Sequence, residues 1–71
     1  MTYAQAMAEA ARRWGRAGQV AYRDGQHIVG TIGGDPLPNG SYPYGRGWTW
    51  EEAFRDADRR AALPHNEKAY A

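Results

Sequence analysis

Apolar residues recur at helical spacing through the first fourteen positions. Tyr3, Met7, Ala10 or Ala11, and Trp14 fall on one stripe, while Gln5, Glu9, Arg12, Arg13 and Arg16 lie mostly off it. The spacing predicts a helix over 2–14. Thr2 and Gln5 stand at the spacing of a capping box, and Glu9 is placed to pair with Arg12 or Arg13 one turn on. Gly15 and Gly18 are its stop signals. From Gln19 to Ile32 the pattern becomes that of a β-hairpin. Val20-Ala21-Tyr22-Arg23 and Gln26-His27-Ile28-Val29 flank Asp24-Gly25. Asp-Gly suits a type I′ turn, which needs positive φ at both positions. This register opposes Tyr22 to His27, Ala21 to Ile28 and Val20 to Val29. One face carries Val20, Tyr22, His27 and Val29, and the other carries Ala21, Arg23, Gln26, Ile28, Gly30 and Ile32. Both faces are partly apolar, so the pattern does not choose which one meets the helices.

Gly33 to Gly47 is irregular, with five glycines, three prolines and two tyrosines. A loop this long in a small domain is usually functional or hides a short element. A short third strand is expected around Ser41 to Tyr44, held to an edge by Pro43. The stretch Gly47-Trp48-Thr49-Trp50-Glu51-Glu52-Ala53-Phe54 then spells a helix start. Thr49 can accept from the N–H of Glu52, and Glu52 can reach back to the N–H of Thr49. Trp48 precedes the cap, where it can pack on the first turn. The helix is predicted over 50–63, with Trp50, Ala53, Phe54, Ala57 and Ala61 as its stripe. Glu51–Arg55, Asp56–Arg59 and Asp56–Arg60 are spaced to pair. Leu63-Pro64 ends it, and 65–71 is expected to be a loose tail. The sum is one α+β domain over 1–64. Helix, hairpin, edge strand and helix follow in order, with the helices on one face of a small antiparallel sheet.

Composition changes this picture in one respect. Of 71 residues thirteen are Ala, while Val, Ile, Leu and Phe together number seven. So few aliphatics would point toward disorder, but the net charge is only +1 and nine aromatics supply the missing bulk. Each buried aromatic removes roughly 150–250 Å² from water. The expected core is small and aromatic, under alanine-faced helices, and a homodimer or a partner would add stability. There are no cysteines, which excludes disulfides, thiolate zinc sites and cysteine nucleophiles. No apolar run reaches the length of a membrane span, and Met1 to Gln5 lacks the regions of a secretory signal. A soluble, cytoplasmic protein is expected.

The candidate chemistry is that of binding. Arginine supplies eight of the nine basic residues. Arg12, Arg13 and Arg16 cluster at the end of the first helix, and Arg59 and Arg60 at the end of the second. A planar guanidinium fork suits phosphate or acidic protein surface, and the same positions suit helix dipoles. Tyr42, Tyr44, Arg46, Trp48 and Trp50 form an aromatic and arginine series, and these residue types are enriched at interface hot spots. The loop from Asp35 to Gly47 is expected to carry the partner contact. Tyr42, Tyr44 and Arg46 supply it there, with Arg12, Arg13 and Arg16 alongside. The small net charge argues against direct nucleic-acid binding. His27 and His65 have no metal-ligand spacing, Gly33-Gly34-Asp35 lacks the lysine and helix of a phosphate loop, and no nucleophile stands with a base. No enzyme, metal or cofactor is implied.

Two resemblances follow from particular residues. Gly47-x-Thr49-x-x-Glu52-Ala53, with Ala57 beyond it, resembles the end of the HicB family of antitoxins, where a short sheet leads through such a turn into a helix. The likeness covers about a quarter of the chain, which departs from the family by opening with a helix. As a whole, the chain is similar in type to small phage-encoded inhibitors of bacterial defence, the anti-CRISPR proteins. Met1-Thr2-Tyr3-Ala4-Gln5-Ala6-Met7-Ala8-Glu9 and Trp50-Glu51-Glu52-Ala53-Phe54-Arg55-Asp56-Ala57-Asp58 carry that likeness. It implies stoichiometric binding to a bacterial CRISPR effector, with no catalytic residues to transfer.

Overall fold

Thr2 caps the first helix, α1, which spans Tyr3–Trp14 in the computed structural model, whose described residues are 1–62. The expected stop at Leu63-Pro64 and the tail lie outside them. The capping box is complete: the N–H of Gln5 donates to Thr2 Oγ1 at 3.1 Å, and the N–H of Thr2 donates to Gln5 Oε1 at 2.7 Å. A short 3₁₀ turn, Gly15–Ala17, leads into strand β1, Gln19–Arg23. Asp24 and Gly25 take φ of 52° and 80°, as a type I′ turn requires. They return the chain into β2, Gln26–Gly30, in the register that the Asp-Gly pair predicts. Strand β3, Tyr44–Gly47, pairs antiparallel with β2, and helix α2, Trp50–Ala62, closes the fold. Sheet order is β1-β2-β3. The architecture is the expected α+β arrangement, with α1 lying mainly over β1 and α2 over β3.

The third strand begins three residues later than expected. Pro43 has no N–H to give to the ladder. It contributes only its carbonyl, to Thr31 at 3.1 Å, and regular pairing starts after it. The Tyr44-Gly45-Arg46-Gly47 segment reads as loop in sequence because glycine marks turns. Here the glycines let α2 lie directly on the strand backbone. A Cβ on Gly45 would stand 2.2 Å from the Ala53 carbonyl oxygen and 2.5 Å from the Ala57 nitrogen. The helix presents Ala53 and Ala57 to this strand, so small residues face small residues across the interface.

The buried face of the sheet is the one carrying Val20 and Val29, and the core adds Ala6, Ala10, Trp50, Ala53, Phe54 and Ala57. Three stripe positions depart from expectation. Tyr3, Met7 and Ala61 are exposed, and Ala6 and Ala10 take the centre of α1's inner face. Alanine there brings α1 close to the sheet, while the bulkier Tyr3 and Trp14 reach α2 from the two ends of the helix. Their rings meet Trp50 and Phe54, each at 5.9 Å between centroids. Glu51 accepts from the Met1 ammonium at 2.9 Å in place of the expected Arg55. No helix among the described residues is long and apolar enough to cross a membrane.

Candidate binding site

The outer edge of β3 organises the candidate site. In an antiparallel ladder successive residues turn their backbone groups alternately to one neighbour and then away. The bond from Thr31 to Pro43 sets this alternation, so Gly45 and Gly47 face β2 while Tyr44 and Arg46 turn outward. Two carboxylates of α2 receive the outward N–H groups. Arg46 donates to Asp56 Oδ2 at 3.0 Å, and Trp48 donates to Glu52 Oε1 at 2.9 Å. Glu52 therefore completes its box one residue further out than expected, on Trp48 instead of Thr49. Thr49 Oγ1 does accept from the Glu52 N–H, at 3.0 Å. Glu52 and Asp56 are one helical turn apart and the two N–H groups are two strand residues apart. The two spacings match, and these two carboxylates take the hydrogen-bonding positions that a fourth strand would use.

Asp56 is the electrostatic hub. Its side chain is 14% exposed and pairs with Arg59 and, at 2.8 Å, with Arg60. Burial works against its ionisation, but the Arg46 N–H and the Arg60 and Arg59 guanidiniums outweigh that and hold its pKa at about 2. Arg60 also lies over the Tyr44 ring, 5.3 Å from the centroid. Around this hub runs a shallow groove of about 530 Å³, with Arg46, Arg55, Arg59 and Arg60 along it and Trp48 and Gln26 at one end. Among the described residues, Arg46 and Arg55 have no carboxylate partner. Trp48 is 66% exposed and rests over the hairpin turn, where a Cβ on Gly25 would stand 3.5 Å from its ring.

The sequence-predicted residues divide. Tyr44 and Arg46 belong to β3; Arg46 lines the groove, and Tyr44 lies beneath Arg60, which lines it. Tyr42 is exposed in the preceding loop, whose end lies beside Tyr44. That loop is tied to itself: Leu37 donates to the Ser41 carbonyl at 2.9 Å, and Ser41 donates to Asn39 Oδ1 at 3.0 Å. Arg12 and Arg13 lie elsewhere, in the helical layer. Both grip Glu9, and their hydrogen bonds, first Arg12's and then Arg13's, lower its pKa to about 2. Arg13 also bridges to Asp58 of α2 at 2.6 Å and covers the Phe54 ring at 4.8 Å. It bridges the two helices. Arg16 is exposed in the 3₁₀ turn. Arg12, Arg13 and Arg16 do not line the groove at Arg46; the arginines that line it with Arg46 come from α2.

The two tryptophans of the helix start also separate, Trp50 into the core at 7% exposed and Trp48 outside it. Arg55 was legible only as a helix residue, and Trp48 as a cap neighbour and a member of the aromatic and arginine series, because nothing in one sequence says that the α2 carboxylates reach the β3 edge. Among the described residues no group of His, Asp and Glu is placed to hold a metal ion. No protein-family model, curated protein or solved structure matches the chain.

Proposed function

We propose that this protein is a non-enzymatic binding module that engages an acidic protein surface through the groove between β3 and α2. One observation carries the proposal. Four arginines converge on a groove whose two carboxylates are already committed, Glu52 to a strand N–H and Asp56 to a strand N–H and two guanidiniums. Arg46, Arg55 and the exposed Trp48 are then the groups left to a partner, and Arg and Trp are the residue types that dominate interface energetics. Unpaired surface guanidiniums mainly raise association rate and make it salt-sensitive. The resemblance in type to anti-CRISPR proteins supplies the particular form: a phage-encoded inhibitor that binds a bacterial CRISPR effector in the host cytoplasm and blocks its DNA binding or activity.

Purified effector complexes test this directly. The expected result is saturable binding of one chain per site with loss of target-DNA binding. Replacing Arg46 and Trp48 together with Ala should weaken it by about 2 kcal/mol, roughly 30-fold, with the fold intact. Binding unchanged in the double variant would remove the groove from the proposal. Inhibition at strongly substoichiometric dose, with a modified target visible by mass spectrometry, would show turnover instead. A second reading, a HicB-like antitoxin, is favoured by the way β3 leads through Gly47 and the Thr49 cap into α2. Co-expression with a small toxin encoded beside it separates the two, since only an antitoxin restores growth.

A further inference from the structure

The two edges of the sheet are treated differently. The β3 edge is covered by Asp56 and Glu52. Among the described residues the β1 edge has no such cover. In a two-residue hairpin the residues flanking the turn form a hydrogen-bonded pair, so Arg23, Ala21 and Gln19 turn their backbone groups toward β2. Val20 and Tyr22 turn theirs outward, and among the described residues no hydrogen bond reaches them. The strand carries none of the usual devices that blunt an edge: it has no proline, no bulge and no charge before its last residue, Arg23. Its Tyr22 is 62% exposed.

We infer that the β1 edge is the site of self-association, pairing antiparallel with β1 of a second copy about a two-fold axis through Ala21. The strand is self-complementary in that register. Val20 meets Tyr22 of the partner subunit as a hydrogen-bonded pair, and Tyr22 meets the partner's Val20, so all four outward residues are satisfied by one another. Each such pair sets a β-branched side chain against an aromatic one, a favourable cross-strand combination. Ala21 faces the partner's Ala21 on the axis, where small side chains fit the close spacing of a non-hydrogen-bonded pair. Gln19 faces the partner's Arg23, so no like charges oppose. The result is a continuous six-stranded sheet that removes both open edges and covers Tyr22. It also adds buried surface to a core in which Val29 is the largest fully buried side chain. The β3–α2 grooves stay uncovered at the two far ends of the assembly, so the dimer presents them as a separated pair.

Sedimentation equilibrium on the full chain, with amide exchange by NMR, tests this. The wild type should sediment at twice its 7.9 kDa mass, with the Val20 and Tyr22 amides gaining protection as concentration rises. Tyr22→Lys places a charge against Val20 of the partner subunit. It should sediment as monomer with a melting temperature independent of concentration. Tyr42→Lys, an equally exposed tyrosine away from the edge, should leave the dimer intact. A wild type that stays monomeric at all concentrations tested overturns the inference. So does a dimer whose Val20 and Tyr22 amides exchange freely, since its interface is then elsewhere. A monomer in which those two amides are already protected also overturns it, because another segment of the same chain then covers the edge. Should Tyr22→Lys fail to fold, the wild-type exchange data decide alone.

Discussion

Replacing Gly45 with alanine tests the central packing feature, the seating of α2 on a glycine strand. The added Cβ would lie 2.2 Å from the Ala53 carbonyl oxygen, 2.5 Å from the Ala57 nitrogen and 2.8 Å from the Ala57 Cβ. Two of these three are backbone atoms of a helix and cannot swing aside as a flexible side chain would. Relief requires α2 to rise from the sheet, which also unseats Trp50 and Phe54. Overpacking typically costs 1–3 kcal/mol, and the rigid obstacle places this case near the top, at about 3 kcal/mol. A domain of this size holds only roughly 3–10 kcal/mol in total. The melting temperature should fall by roughly 12–24 °C, at about 4–8 °C per kcal/mol. Gly40→Ala is the matched control. Gly40 has φ of +84° and nothing within 4 Å of the added carbon, so it incurs backbone strain alone, about 1 kcal/mol. Thermal melts followed by far-ultraviolet circular dichroism compare the two. If Gly45→Ala melts as high as Gly40→Ala, α2 does not sit on β3 as described.

Thr49→Ala should destabilise the fold by about 1 kcal/mol, read as a shift in urea midpoint; equal midpoints would mean that Thr49 does not cap α2. Trp14→Ala removes the ring stacked on Phe54 and should cost about 3 kcal/mol; a loss below 1 kcal/mol, by the same measurement, would contradict that packing. Acid should act through Glu9 and Asp56, whose carboxyls lie at about 2 in the fold, against ordinary values of 4.5 and 3.8. Folded values below unfolded ones mean that the unfolded chain binds more protons in this window. Their contribution is therefore complete above pH 4.5 and is lost as pH falls toward 2. Melting temperatures should hold steady from neutral pH down to about 5 and then decline, and Asp56→Asn should lose the part of that decline due to Asp56. A profile flat to pH 2 would show that neither ion-paired cluster stabilises the fold.

Local chemistry alone determined the two helices and the hairpin of this protein. The Thr2/Gln5 and Thr49 caps place the helix starts, and Asp24-Gly25 dictates the hairpin and its register. The acids and arginines of α2 pair along the helix from Asp56, as their spacing requires. These features depend on neighbours one to four residues apart, so the chain order suffices to read them. What the sequence could not decide is everything that depends on the approach of distant segments. Both hairpin faces carry apolar side chains, and only the packing of α1 and α2 selects Val20 and Val29. Glycines at 45 and 47 look like loop until a helix is laid on them. Arg46 looks like the neighbour of Arg12, Arg13 and Arg16, yet Arg12 and Arg13 are drawn to Glu9, with Arg13 reaching on to Asp58, while Arg46 faces the arginines of α2. That exchange of partners follows from one fact of tertiary geometry. The β3 edge needs hydrogen-bond acceptors, Asp56 and Glu52 supply them, and supplying them brings the α2 arginines to Arg46.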